Sequence, residues 1–496
     1  MHRAARPAVS IPMQNWGFGA GAMAGRFAHA RKGGGMSTRP SAALNLRQVG
    51  TASGITMLRQ AVAMGIAFVS SVLLARVLGP EGKGIYGVAL LLPSTATTLV
   101  NLGIAPATVY YVARGDFSPR QVAGNAIRMS IMLSALAIAL SLAVTAFASD
   151  TLFPAVPVHL LRISLLYIPF ALGNLYLLSI IQGLQDFGTY NLIAVTSQAC
   201  TLAITILLVC VLNLGVAGAL VGFSTGHLAG ILATIYTLKL RPRLTGRLRI
   251  WVGGDYVRKV LSYGLRAHLS NVITFLTNHA DLFLVNLYRN PAEAGIYTLA
   301  VGLAERLSIV SSSASTVMLP RISELEGSEH LRQELTPIVA RHVFLVTLVL
   351  SLLAALGARL FVRLIYGEAF ESAALVFAAL VPSTVFHSLS RVLSSDIAGR
   401  GRPQINARIA AVQMAVTIAL DFVLIPAFGI LGAAMASSIA TTVSTLIKTI
   451  YYTTSFGITW RALFVFTKDD VERLGRIARV QGAALIDRVR RVLGRR

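Results

Sequence analysis

Apolar runs of about 18 residues or more, long enough for a helix to cross a hydrocarbon core of about 30 Å, recur along most of this chain. That pattern leaves few folds open. Only 13% of the 496 residues are charged and 55% are hydrophobic, with a mean hydropathy of +0.69. A soluble chain carries roughly 25% charged residues. A soluble enzyme, a disordered regulator and a secreted domain are excluded. The sequence describes an all-α, polytopic membrane protein.

Gly, Pro and charge breaks divide the apolar sequence into about twelve transmembrane spans. Six run at about 52–78, 84–112, 121–148, 159–182, 189–212 and 215–238. Six more run at about 261–288, 295–319, 337–357, 372–397, 405–427 and 429–455. Most connections are short, as between antiparallel neighbours. The organisation expected is a disordered basic tail (1–50), an N-lobe of six helices (51–239), a basic linker (240–260), a C-lobe of six helices (261–455) and a basic tail (456–496).

The net charge of +24 sits mostly outside the spans. Residues 1–50 contribute +7, residues 239–259 contribute +6 and residues 456–496 contribute +6. With the amino terminus inside, cytoplasmic loops hold 16 Lys and Arg against 6 in external loops. Both tails then lie on the cytoplasmic side, as the positive-inside bias requires. No aromatic platform or reader motif accompanies the charge, so nucleic acid is not an expected partner. The first 45 residues lack a long apolar segment and do not read as a secretory signal; Met36 is an alternative start. Arginine exceeds lysine 38 to 6, which fits a GC-rich bacterial genome and a bacterial cytoplasmic (inner) membrane. Cys200 and Cys210 are about 15 Å apart along one helix and cannot bridge within it.

The sequence is duplicated. GPEGKGIYGVA links spans one and two, and NPAEAGIYTLA links spans seven and eight. A shift of 211 superposes Pro80 on Pro291, Gly84 on Gly295, Ile85 on Ile296, Tyr86 on Tyr297 and Ala89 on Ala300. A shift of 215 superposes Asn191 on Asn406 and Gln198 on Gln413, and 214 superposes Gly215 on Gly429, Gly218 on Gly432 and Ala219 on Ala433. Six spans per copy make the repeats parallel, with a site expected between them near the midplane. This is the architecture of a carrier.

The stretch LLARVLGPEGKGIYGVALLLPSTATTLVNLGIAPATVYYVARG resembles the opening of the bacterial polysaccharide (O-antigen) flippases, a branch of the multidrug/oligosaccharidyl-lipid/polysaccharide exporter superfamily. IYGEAFESAALVFAALVPS and NARIAAVQMAVTIALDFVLIPAFGILGAAMASSIA resemble the same family. The resemblance covers most of residues 50–455 and implies a two-lobed exporter working by alternating access. It implies flipping of polyprenyl-diphosphate-linked oligosaccharide to the outer leaflet for O-antigen, capsule or exopolysaccharide. Membrane lipids and polysaccharide polymerase machinery are the partners that go with that role. A cation-coupled multidrug antiporter of the same superfamily is the alternative, and a polysaccharide polymerase or ligase a more distant one.

Ionisable groups at membrane depth cost roughly 3 kcal/mol each on insertion scales, so each one marks a candidate. Arg59 and Arg266 occupy equivalent spans at similar depth. With Arg306 they are the candidate diphosphate ligands, because a guanidinium fork binds oxyanions bidentately; snorkelling to the headgroups is the competing role for Arg59 and Arg266. Asp281 and Glu305 are candidates for a cavity or a coupling ion, with structural pairing as the competing role. Asn271, Gln198 and Gln413 are candidate sugar contacts, although such amides more often bond between helices. His268 reads as a packed side chain, and Asp421 as solvated near the external end of span eleven. Arg391 and Asp396, spaced i, i+5, are poorly placed to pair on one helix. No catalytic constellation, metal-ligand spacing or P-loop is found, so neither an enzyme nor a cofactor is expected. In the tail, Thr467 and Asp470 start an expected basic amphipathic helix lying on the anionic leaflet, with a partner-binding helix as the competing role.

Overall fold

The computed structural model describes residues 46–239, 254–324 and 329–465, all helix or short turn, with no strand among them. The side chains of residues 46–61 and of several in α9 and α11, Arg266 included, fall outside that description. So do the N-terminal tail, most of the basic linker and the expected amphipathic helix of the C-terminal tail.

Both copies of the repeated link make the same kind of reversal. Helix α1 (Leu46–Val100) folds back at Gly79, whose φ of +67° and ψ of −177° interrupt the helix. Glycine takes that conformation without a Cβ penalty, and Pro80 then opens the second arm where its missing N–H costs nothing. Helices α2 (Ile104–Ala113), α3 (Pro119–Phe147), α4 (Ser149–Leu152), α5 (Val158–Ser164), α6 (Tyr167–Gly183), α7 (Phe187–Thr205) and α8 (Gly215–Lys239) complete the first lobe. In the second lobe the link joins α9 (Gly254–Tyr288) to α10 (Pro291–Leu307). Here Asn290 caps α10, its side chain accepting from the Glu293 N–H at 2.9 Å, and Pro291 again opens the helix. Helices α11 (Ile309–Glu324), α12 (Glu329–Ile365), α13 (Ala373–Gly399), α14 (Pro403–Phe428), α15 (Ile430–Phe456) and the short α16 (Trp460–Phe464) follow.

Among the described residues nine segments are long and apolar enough to cross a membrane, or ten if α10 and α11, bent by 41° at Ser308, form one span. Dividing α1 at Gly79 and adding α9, which is 35 residues long but more polar, brings the count to the twelve expected. The polarity of α9 has a structural reason: it packs against α14 and α10 of its own lobe and against α1 and α2 of the other. Within the lobes, α3, α6, α7 and α8 gather on one side and α12, α13, α14 and α15 on the other, with α13 central to the second group.

The second helix of each repeat is broken. In the first lobe the break falls at Leu102 and Gly103, with φ of +51° and +68°, between α1 and α2. In the second it is the bend at Ser308. After the break α2 packs on α9 and α6, whereas α11 turns onto α13 and α12. The two ends of the bundle are called here the elbow end, which holds Gly79 and Asn290, and the opposite end, which holds Gly103 and Gly264.

Candidate functional site

The lobes meet along α1, α9 and α10, and the repeated glycines set how closely. At the elbow end, a methyl group on Gly84 would fall on the Pro291 carbonyl, and one on Gly295 would fall on the Pro80 carbonyl. The duplicated motifs thus lie against one another, backbone on backbone. Arg76 adds a cross-lobe bond, its guanidinium donating to the carbonyls of Leu364 and Ile365 at the C-terminus of α12. At the opposite end a methyl on Gly103 would strike the Gly264 carbonyl. There Tyr110 stacks on Tyr263 at 4.8 Å, Phe117 meets Tyr256 edge-on at 5.0 Å, and His268 Nε2 lies 3.0 Å from the Leu99 carbonyl.

Beneath the elbow closure lies a cluster of cations and aromatic rings contributed by both lobes. Arg306 of α10 sits over the Phe68 ring of α1 at 5.3 Å, and its Nη1 donates to the Gly302 carbonyl at 2.6 Å. Lys83, buried at 8% exposure, donates to the carbonyl and hydroxyl of Ser71 at 3.3 and 3.2 Å. Tyr366 packs edge-on against Phe68 at 6.2 Å. No ion pair to Lys83 or Arg306 is found among the described residues. Glu305, next to Arg306, is exposed and points elsewhere, because neighbours on a helix diverge by about 100°.

A second, acidic cluster lies within the second lobe. One oxygen of Asp281 on α9 accepts from the Tyr297 hydroxyl of α10 and from the Ser437 hydroxyl of α15, both at 2.6 Å. Its other oxygen is buried without a partner. Asp421 of α14 is within electrostatic reach of Asp281 and Tyr297, is fully buried, and has no hydrogen-bond partner for either carboxylate oxygen. Two buried carboxylates short of donors carry a charge that is costly to leave uncompensated at this depth. Asp421 therefore departs from the solvated position expected: its place near the end of a span is set aside by the packing of α9 and α15 over it.

The remaining candidates fall as follows. Arg59 and Arg266 lie on the helical backbone of α1 and α9, and their side chains are outside the description. Asn271 is exposed on α9. Gln198 on α7 is half-buried, with its side-chain oxygen unpartnered. Gln413 on α14 is engaged at both ends of its amide, donating to Thr441 at 3.3 Å and accepting from Ser444 at 2.9 Å on α15. Asp396, poorly spaced for Arg391, instead accepts from Arg400 one turn away at 2.9 Å. Burial pulls the Arg400 pKa down, but bonds to Asp396 and Glu329 outweigh it and hold that guanidinium above the ordinary arginine range. Lys83, which the sequence places among the external-loop cations, is instead buried in the second arm of α1 against Ser71, and Tyr366 and Ser437 carry no sequence signal that singles them out.

Residues 49–326 match the family described as polysaccharide biosynthesis protein. The chain belongs to that family. Among curated relatives, a Shigella flexneri protein named as an O-antigen transporter is 22% identical over 406 residues, 78% of this chain and 94% of the relative. A Haloferax volcanii protein named as a flippase of low-salt glycan biosynthesis is 20% identical over 40% of this chain and 42% of its own length. Two solved structures share the fold, each at a TM-score of 0.65 and 15% identity. One is an inward-facing multidrug resistance transporter of the MATE family, covering 81% of this chain and 98% of that one. The other is a lipid II flippase in an inward closed conformation, covering 88% and 99%.

Proposed function

We propose that this protein flips a polyprenyl-diphosphate-linked oligosaccharide across the bacterial cytoplasmic membrane for cell-surface polysaccharide synthesis. The observation that carries the reading is the cation-and-ring cluster between the lobes, Arg306 and Lys83 with Phe68 and Tyr366, in a chain of the polysaccharide biosynthesis family. Cations without carboxylate partners suit a phosphoryl group, and aromatic rings suit the apolar faces of sugars or the first isoprene units.

In this reading the elbow end faces outside and both termini face the cytoplasm. Substrate is admitted where α11 turns away onto α13, and Arg59 and Arg266 receive the diphosphate first. Arg306 takes it deeper as the opposite end closes. A proton or monovalent cation on Asp281 and Asp421 supplies the driving force, because its presence changes the charge buried under α9, α10, α14 and α15. The protein is a carrier rather than an enzyme, working beside the polymerase that uses its product.

Deletion of the gene tests the reading. Loss of surface polysaccharide, restored by the wild-type gene, is expected. Normal polysaccharide with new drug sensitivity would instead establish the multidrug antiporter reading, which the acidic cluster and the MATE-like fold favour. Export by Arg59→Gln and Arg266→Gln should fall at matched membrane levels, with Arg→Lys partly tolerated, since a point charge cannot supply the bidentate fork. Normal export by both Gln variants would remove those two arginines from the path.

A further inference from the structure

We propose that Lys83, the Tyr366 hydroxyl and Ser71 form, with Arg306, a second phosphoryl-binding position directly under the elbow closure, distinct from the first-contact arginines. It rests on the reading of the seam as a substrate path, and concerns where the anionic group sits before release.

Lys83 is the starting point. A lysine buried to this degree normally has a carboxylate, yet Lys83 has only the carbonyl and hydroxyl of Ser71, at 3.3 and 3.2 Å. An ammonium group has three protons to donate, so the pair of Ser71 bonds leaves capacity for an acceptor. Its other close neighbour is the Tyr366 ring, with the ring centroid 5.9 Å away. Tyr366 itself is 2% exposed, and its hydroxyl, buried beside Ser71, completes no hydrogen bond of ordinary geometry. A buried hydroxyl with Ser71 as its one polar neighbour, next to a buried ammonium that has no carboxylate among the described residues, leaves donor capacity for an acceptor.

Arg306 supplies the second cation. It is close enough to act electrostatically on both Lys83 and Tyr366, and it is held over Phe68 with Nη1 on a backbone carbonyl. Glu305 acts on Arg306 electrostatically but forms no ion pair with it among the described residues, so the two cations repel, and a dianionic or trianionic group between them reverses that repulsion. Three donor types from two lobes would then share one acceptor: Lys83 and Ser71 on α1, Arg306 on α10 and Tyr366 at the end of α12.

The position has a mechanical consequence. Lys83 lies one residue before Gly84, which touches Pro291 across the seam, and Tyr366 follows Leu364 and Ile365, whose carbonyls Arg76 holds. An anion that draws the Lys83 ammonium towards Arg306 pulls on the segment whose glycine closes the elbow end. Phosphoryl groups reach such a place from two sources, the diphosphate of the lipid-linked substrate and the headgroup of an outer-leaflet phospholipid.

Full-length protein in neutral-lipid nanodiscs decides the matter. Farnesyl diphosphate is titrated by its effect on melting temperature, with farnesol as the control lacking phosphate. Lys83→Gln and Arg306→Gln should each weaken apparent affinity for farnesyl diphosphate at least about tenfold, the loss expected for a charge-assisted bond. Tyr366→Phe, which removes only the hydroxyl, should weaken it by about threefold, and Lys83→Arg should retain most of it. Farnesol should be unaffected throughout. If phosphatidylglycerol in the nanodisc competes in wild type but not in Lys83→Gln, the headgroup shares the site; no competition assigns it to the diphosphate alone. Absence of binding by wild type, or unchanged affinity in Lys83→Gln and Tyr366→Phe, would overturn the proposal. Failure of the flippase reading shows separately, as surface polysaccharide that survives deletion of the gene.

Discussion

Asp281 and Asp421 show how a residue's chemistry can be plain in the sequence while its setting is not. An aspartate inside an apolar run stands out because insertion penalises it, and Asp281 was conspicuous on that ground. Its partners were not legible: Tyr297 belongs to the repeated Gly-Ile-Tyr motif, whose tyrosine equally suits an interfacial anchor, and Ser437 lies among many small residues of α15. Asp421 read as solvated because distance along a helix does not say which face is covered. The repeat makes the cluster one-sided. Shifts of 211 and 214 place Ser70 opposite Asp281, Leu207 opposite Asp421 and Phe223 opposite Ser437. In the first lobe Tyr86, the counterpart of Tyr297, meets that Phe223 ring edge-on at 6.3 Å. The same pair of positions is aromatic in one lobe and acid-linked in the other. Asp421→Asn is therefore expected to cut flipping in proteoliposomes at least about tenfold while keeping the protein folded, since a neutral amide can fill the space but not carry the ion. Phe223→Ser, at the equivalent place, should cost stability rather than coupling. Comparing imposed proton and sodium gradients reads the first outcome; equal gradient dependence in wild type and Asp421→Asn would remove the cluster from coupling.

At the level of elements, the repeated links were readable as links and unreadable as neighbours. Proline at the first helical position and the Gly-Ile-Tyr sequence announced two reversals, but nothing in one dimension shows Gly84 and Gly295 lying against each other's chains. The contact follows from pseudo-symmetry, because motifs at equivalent depth on facing helices meet at the axis relating the lobes. The breaks in the second helix of each repeat were likewise hidden within apolar runs that read as continuous spans. Closure of the elbow end can be locked chemically. A Cβ built on Gly87 would lie 3.5 Å from the Thr298 methyl, within reach for a disulfide between cysteines at the two positions. In a background lacking Cys200 and Cys210, oxidation of Gly87→Cys/Thr298→Cys should stop export, and reduction should restore it. Cross-linking that leaves export intact would mean the lobes do not part there. Gly84→Val should act in the opposite sense, since its side chain would collide with backbone that cannot give way. Labelling of Thr298→Cys by a water-soluble maleimide should then rise above that in the parent seam.

For the whole molecule, direction of transport depends on orientation, which rests on charge. The loops assigned inside hold 16 Lys and Arg against 6 outside. Both folded ends carry cations paired with acids and cations that are not. At the elbow end Arg289 pairs with Glu293 at 3.0 Å, Arg359 with Glu371 and Arg363 with Glu368, whereas Arg76 is held by carbonyls and Lys83 by Ser71. At the opposite end Arg114 pairs with Asp116 at 3.1 Å, Arg400 with Asp396 and Glu329, and Arg332 with Glu329, while Arg402 lies 5.8 Å from the Phe456 centroid with Nη1 3.2 Å from the Tyr451 oxygen. Charge neutralised by neighbouring acids weighs little in the field of an anionic leaflet, whereas charge held on rings remains available to it. The linker and both tails are net basic in sequence, which by the positive-inside bias assigns them to the inner side with the opposite end. The elbow end should therefore face outward. An impermeant thiol reagent added to intact cells should label cysteine at Asn290 and at Glu368, both exposed, and miss cysteine at Asp116 and Arg402, also exposed. Permeabilising the cytoplasmic membrane should make the second pair reactive. The reverse pattern would put the acidic cluster and the Lys83 site nearer the cytoplasm. The phosphoryl group would then meet Lys83 before Arg59 and Arg266, and the same machine would have to move its substrate inward.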